Sequence, residues 1–125
     1  MGGLPSVIKS STCCPSLPSL MLTNANHILN KLDELSIRSA LGNFDIICIT
    51  ESWLNDDIRD DVCSLPNYVI FRKDRVSGPG GGIISYAKDV ISCRKVDILS
   101  SAVHEFESLW LALRPRLLPR PLTLI

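Results

Sequence analysis

Apolar and polar positions along the chain switch between strand and helix periods, and the order of the switches predicts an α/β unit. Residues 19–23 form a short apolar run, a strand with which the fold begins near Ser19. The polar turn Asn24-Ala25-Asn26-His27 follows, after which Ile28, Leu32, Leu35 and Ser36 fall on one face at helical spacing. Gly42-Asn43 makes a helix stop, and the apolar run Asp45-Ile46-Ile47-Cys48-Ile49 begins at once. Strand, helix and strand in this order predict a right-handed βαβ unit.

Further strands are expected at residues 68–71 and 81–87, and at 106–113, which is apolar on both faces except at Glu107. These read as neighbours in one sheet. From Arg114 onward Pro115, Pro119 and Pro121 interrupt any ladder, and the chain stops on the apolar Leu122-Thr123-Leu124-Ile125, which looks cut. Residues 1–18 are rich in Ser, Pro and Gly, hold the pair Cys13-Cys14 and show no period, as expected of a flexible leader. The expected organisation is a leader over 1–18, a folded unit over 19–113 and a Pro-rich tail over 114–125. No internal repeat is present.

At 125 residues and 46% hydrophobic content the chain is sized for one domain with a core of its own. Thirteen basic and thirteen acidic side chains cancel, so no whole-molecule field draws it to nucleic acid or an anionic membrane, and any such binding is local. Cysteines at 13, 14, 48, 63 and 93 include no C-x-x-C pair and are accompanied only by His27 and His104, which excludes a zinc framework. Cys48 and Cys93 read as small buried hydrophobes in a reducing compartment. Pro5, Pro15 and Pro18 break any signal-like apolar stretch, and no run is long enough to span a bilayer. An intracellular protein without a membrane partner is expected.

Several segments could carry chemistry. Thr50-Glu51-Ser52-Trp53-Leu54 puts a carboxylate where a buried strand leaves the core, the place where ligands collect in open α/β sheets; a strand-terminal Glu that merely meets water is the alternative. The acidic stretch at 55–61 lacks the central Gly and the final Glu of a calcium loop and reads as a solvated loop or short helix. Gly78-Pro79-Gly80-Gly81-Gly82 precedes a strand with no following Lys-Ser, so it is a tight turn and not a P-loop. Arg72-Lys73-Asp74-Arg75 is either a phosphate-holding cluster or a solvated hairpin end. Ser52, Ser85 and Ser108 have no positioned histidine, which argues against a serine hydrolase. His27 reads as a polar turn residue, His104 as an exposed loop residue, and Trp53 and Trp110 as core anchors.

Taken in order, Asn24-Ala25, Asn30-Lys31-Leu32-Asp33-Glu34-Leu35, the block from Asp45 to Leu54, Arg72-Lys73-Asp74-Arg75, Gly80-Gly81-Gly82-Ile83 and Glu107-Ser108-Leu109-Trp110 resemble the endonuclease/exonuclease/phosphatase superfamily. More narrowly they look like the apurinic-type endonuclease domain of non-LTR retrotransposon reverse transcriptases. The resemblance covers about residues 20–113. It implies an α/β fold, here part of a four-layer DNase I-like sandwich with a mixed sheet and flanking helices. It further implies magnesium-dependent cleavage of a DNA phosphodiester and a nuclear setting. Asn24 matches the Asn that positions the scissile phosphate and the metal site, and Glu51 matches the metal-binding Glu. Asn26 stands where the family often has Arg, and Arg72, Lys73 and Arg75 fall in a segment near the DNA-binding edge.

The departures carry equal weight. The Tyr, Gly-Asp-Phe-Asn and Ser-Asp-His blocks that continue the family pattern are not found, so one Asn and one Glu make neither a closed magnesium site nor a general base. The expectation is a truncated domain, inactive alone. The alternatives are a fragment that binds nucleic acid or protein without catalysis, and a relic reading frame. A sandwich lacking half its strands also leaves the inner face of a sheet without a partner, which favours self-association through that face.

Overall fold

The computed structural model describes residues 17–76, 78–96, 107–114 and 122–124. Most of the expected leader, His104, Phe106 and the prolines of the tail lie outside them. Among the described residues seven strands form two sheets. The first has the order β1-β2-β4-β3, from β1 (Leu20–Asn24), β2 (Ile46–Thr50), β3 (Tyr68–Lys73) and β4 (Ile83–Lys88). The second has the order β5-β6-β7, from β5 (Ser92–Val96), β6 (Trp110–Arg114) and β7 (Leu122–Leu124). β1 and β2 are parallel, with Leu20 opposite Ile46 and Asn24 opposite Thr50, while β4 runs antiparallel to both β2 and β3. The first sheet is therefore mixed, as the α/β reading requires.

Between β1 and β2 the chain makes a 3-10 turn, Ile28–Asn30, and then α1, Leu32–Gly42. This break corrects the helical face expected from the sequence. A period counted from Ile28 slips at the turn, so Leu35 and Ser39 are the buried helical positions and Ser36 is exposed. The Ser39 hydroxyl is satisfied by donating to the Ser36 carbonyl at 2.9 Å. Asp33 and Glu34 occupy the first turn of α1, where the helix dipole favours negative charge. Asn43, and not Gly42, takes the left-handed stop conformation, its amide returning to the Ser39 carbonyl.

Strand alternation assigns the two faces of the first sheet. Ile47 and Ile49 of β2 with Ile84 and Tyr86 of β4 meet Ile28, Leu35, Leu54, Cys63 and Leu65 on the helical side. The fully buried Tyr86 hydroxyl donates to the Cys63 carbonyl at 2.6 Å, and burial pushes its pKa upward. Ile46 and Ala87, on the opposite face, pack with Leu109, Leu111 and Leu113 ahead of and along β6. Helix, mixed sheet and second sheet give three layers.

Two expectations need correction here. The segment containing β6 is not a neighbour of β3 and β4 but the centre of the second sheet, between β5 and β7. That sheet covers most of the inner face expected to be bare, because β6 carries an apolar residue at every position from Trp110 to Leu113. Among the described residues the apolar side chains left exposed on that face are at its two edge strands, Leu20 (48%) and Leu22 (71%) on β1 and Val69 (47%) on β3. Cys48 and Cys93 are half-buried at the seam between sheets, and Cys63 is the buried thiol.

Candidate active site

Parallel pairing brings the carboxyl ends of β1 and β2 to one side, and the two chains stay hydrogen-bonded beyond the strands. Ala25 donates to the Thr50 carbonyl at 2.9 Å, His27 to that of Glu51 at 2.9 Å and Ile28 to that of Ser52 at 3.1 Å. On its other side the segment meets the glycine turn: Ser52 donates to the Gly82 carbonyl at 3.3 Å and Trp53 to that of Gly81 at 2.8 Å. Residues 51–53 are thus clamped between two loops. Of the six non-glycine residues with positive φ among the described residues, four lie here: Asn26, His27, Glu51 and Trp53. Each such conformation costs about 1–3 kcal/mol and persists only where surrounding contacts hold it.

The clamp directs Glu51. Its Oε2 accepts from Trp53 Nε1 at 2.9 Å and from the Gly81 amide at 3.2 Å. The Trp53 bond, then the Gly81 bond, with a smaller contribution from the Arg75 charge, hold the Glu51 carboxyl below its usual pKa against the opposing effect of desolvation. A carboxylate so fixed remains charged and keeps one edge for a cation or a donor.

The next amide of the turn serves a second carboxylate. Gly82 donates to Glu107 Oε2 at 2.7 Å, and Glu107 Oε1 takes both Nε and Nη2 of Arg75. Gly82 has φ +88, and a Cβ there would lie 2.6 Å from Ser52 Oγ, so the close approach requires glycine. Ser52 is fully buried, and its Oγ has no hydrogen-bond partner among the described residues.

The sequence-derived candidates separate on this geometry. Asn24 and Glu51 come together at adjacent strand ends, Asn24 Oδ1 accepting the Asn26 amide at 3.0 Å in a local turn and Asn26 remaining exposed. Arg72 does not join them. Its five N–H donors go to Asp74 (3.2 and 2.6 Å), Ile58 O (2.7 Å), Asp60 (3.0 Å) and Asn55 O (3.0 Å). A guanidinium has five such donors, so all of those of Arg72 are spent within the fold, as an internal clamp on the loop after β2. Arg75 is committed to Glu107 and to the Pro79 carbonyl, and Lys73 is exposed at the end of β3.

Trp53 also departs from expectation: it is 40% exposed and no core anchor, while Trp110 is half-buried with its Nε1 on Ser108 Oγ. Glu107 had no expected role, although a lone charge in an apolar run was the available signal. Burial raises the thiol pKa values of Cys48 and Cys63, and that of Cys93 to about 11, which disfavours thiolate chemistry at these positions.

Magnesium, which the resemblance implies, does not find a complete site. No group of three or more His, Cys, Asp or Glu side chains suited to a metal occurs among the described residues. Glu51 offers a single carboxylate, against the near-octahedral oxygen shell that magnesium takes. A cleft of about 820 Å³, lined by Asp56, Asp57, Lys73, Arg75, Lys95 and Trp110 among others, does not include Glu51. No described helix is long and apolar enough to cross a membrane.

The mixed first sheet, the helix on one face and the second sheet on the other define a DNase I-like α/β fold. The chain is similar in structure to the crystal structure of the AP endonuclease LMAP from Leishmania major, with a TM-score of 0.55 and 17% sequence identity. The match covers 77% of this chain and 34% of that one, so the chain spans about a third of the solved structure it resembles. No family model matches the chain. No curated protein matches it either.

Proposed function

We propose that the chain is the Glu51-bearing part of a DNA endonuclease domain of the kind attached to non-LTR retrotransposon reverse transcriptases, and that it cleaves no DNA by itself. The observation that carries this reading is the Glu51 carboxylate, fixed at the carboxyl end of β2 by Gly81 and Trp53 and set beside Asn24 at the end of β1. A charged, preorganised acid at that place suits phosphodiester chemistry assisted by a divalent cation. The ordered sequence blocks and the AP endonuclease fold support the same substrate class, DNA, and a nuclear setting. What supports inactivity alone is the donor set among the described residues, where one carboxylate and one amide make no closed magnesium site. Self-association is supported by Leu20 and Leu22, exposed on β1 at the edge of the first sheet among the described residues, a strand without a charge that would repel a second one.

The test is nicking of supercoiled plasmid by the folded chain, in magnesium or in chelator, beside Glu51→Ala. The expected result is no nicking in any arm, with retention of DNA that weakens as salt rises. Magnesium-dependent nicking that disappears in Glu51→Ala overturns the inactivity and keeps the endonuclease assignment. Failure to retain DNA at low salt overturns the assignment.

A further inference from the structure

Trp53 is the large aromatic side chain whose position the core does not explain. It is 40% exposed, yet it is not loose. Its amide is held by the Gly81 carbonyl at 2.8 Å, its Nε1 by Glu51 at 2.9 Å, and its ring lies 5.2 Å from that of His27 at an interplanar angle of 42°. Gly80 completes the seat: a Cβ there would approach Trp53 Nε1 to 3.2 Å, so the indole edge lies close over the turn. The backbone at Trp53 has φ 59, an unfavourable conformation for an aromatic residue, as are those of Glu51 (φ 55) and His27 (φ 87) on either side.

The chain thus uses strained backbone and a glycine to hold an indole partly in water beside the Glu51 carboxylate. A rigid exposed aromatic has already lost its rotamer freedom, so it binds flat apolar groups at little further entropic cost. The only polar atom of the side chain is engaged by Glu51, and what remains for a ligand is the π-face. Such a face takes nucleobases by stacking and with little regard to their identity.

We infer that Trp53 is a stacking platform for a nucleobase of a strand lying across the carboxyl ends of β1 and β2, beside Glu51. This rests on the proposed nucleic-acid reading and adds a ligand contact to it. In this role Trp53 also positions Glu51 through Nε1, and the two functions separate in Trp53→Phe, which keeps a stacking ring and loses the donor.

The experiment uses the full chain carrying Trp110→Phe, so that Trp53 is the sole tryptophan and is excited selectively, in chelator to prevent cleavage, with anisotropy of end-labelled oligomers reading affinity in the position-53 variants. A short single-stranded oligodeoxynucleotide is titrated against an abasic oligomer of equal length and charge. The base-bearing strand is expected to quench Trp53 and to bind roughly 5- to 150-fold more tightly than the abasic one, the range that stacking of one base supports. Trp53→Ala is expected to lose that preference and Trp53→Phe to keep most of it. Equal affinity for the two oligomers in the parent overturns the platform and leaves nucleic-acid binding intact, and this comparison does not depend on any variant at position 53 folding. A preference for bases that survives Trp53→Ala overturns it as well. Absence of binding to either oligomer and to duplex DNA defeats the underlying reading, and the inference with it.

Discussion

The amide of Gly82 donates to Glu107 Oε2 at 2.7 Å, and through this bond the segment leading into β6 is fastened to the turn that holds Glu51. The same carboxylate takes Arg75, so one side chain ties both ends of the β3–β4 connection to the segment before β6. Glu107→Ala leaves the Gly82 amide, on a buried residue, without its acceptor and releases Arg75. An unsatisfied buried donor costs about 1–3 kcal/mol, and the expected loss of stability is of that size. Urea unfolding of parent and variant measures it; an unchanged midpoint would show that the second sheet is held by apolar packing alone.

The sequence made the βαβ unit legible because apolar periodicity and the Gly42-Asn43 stop are local signals. It misplaced β6, since a run apolar on both faces marks a buried central strand without naming the sheet that contains it. At the site, Glu51 was legible from its place at the end of an apolar run. The clamp around it was not: the Trp53 bond is local, but the Gly81 amide reaches Glu51 across 30 residues and the Gly82 amide reaches Glu107 across 25. Arg72 was legible only in part: Asp74 stands beside it in sequence, but Asp60 and the carbonyls of Asn55 and Ile58 reach it from the loop after β2.

Arg72 therefore yields a stability prediction and not a binding one. Its side chain is 13% exposed and that of its partner Asp74 is 15% exposed. Arg72→Ala strands Asp74 in a poorly solvated position and frees the carbonyls of Asn55 and Ile58; removal of one partner of a buried pair costs about 3–5 kcal/mol. Arg72→Lys is expected to recover only part of this, because an ammonium cannot reproduce the bidentate fork on Asp74. Thermal unfolding of the two variants should rank parent above Lys above Ala. Wild-type stability in Arg72→Ala accompanied by weakened DNA retention would return the residue to the phosphate-contact role.

Gly82→Ala tests the close approach at the turn. The new methyl must adopt φ +88 and would meet Ser52 Oγ at 2.6 Å, in a spot where the serine is fully buried. Backbone strain and overpacking together should cost roughly 2–4 kcal/mol. Adding Ser52→Ala to Gly82→Ala removes the clash but not the positive φ, so the double variant should recover part of the loss. Equal stability of single and double variants would mean that Ser52 moves aside freely and that strain accounts for the whole effect.

The Glu51 carboxyl supplies a prediction with a definite sign. Its folded pKa lies below the ordinary glutamate value of about 4.3, chiefly through the Trp53 Nε1 bond and then the Gly81 amide. A depressed carboxyl contributes stability that is present above the unfolded pKa and is lost as pH falls through the folded one, so acid should loosen this loop below the ordinary glutamate range. A carboxyl-carbon NMR titration of the parent should place the midpoint below that of an exposed glutamate. Trp53→Phe deletes the largest cause while keeping a ring against His27, and its midpoint should move up toward the ordinary value. Should the variant titrate where the parent does, the Trp53 bond is not what fixes the Glu51 charge, and the Gly81 amide becomes the principal restraint on the acid.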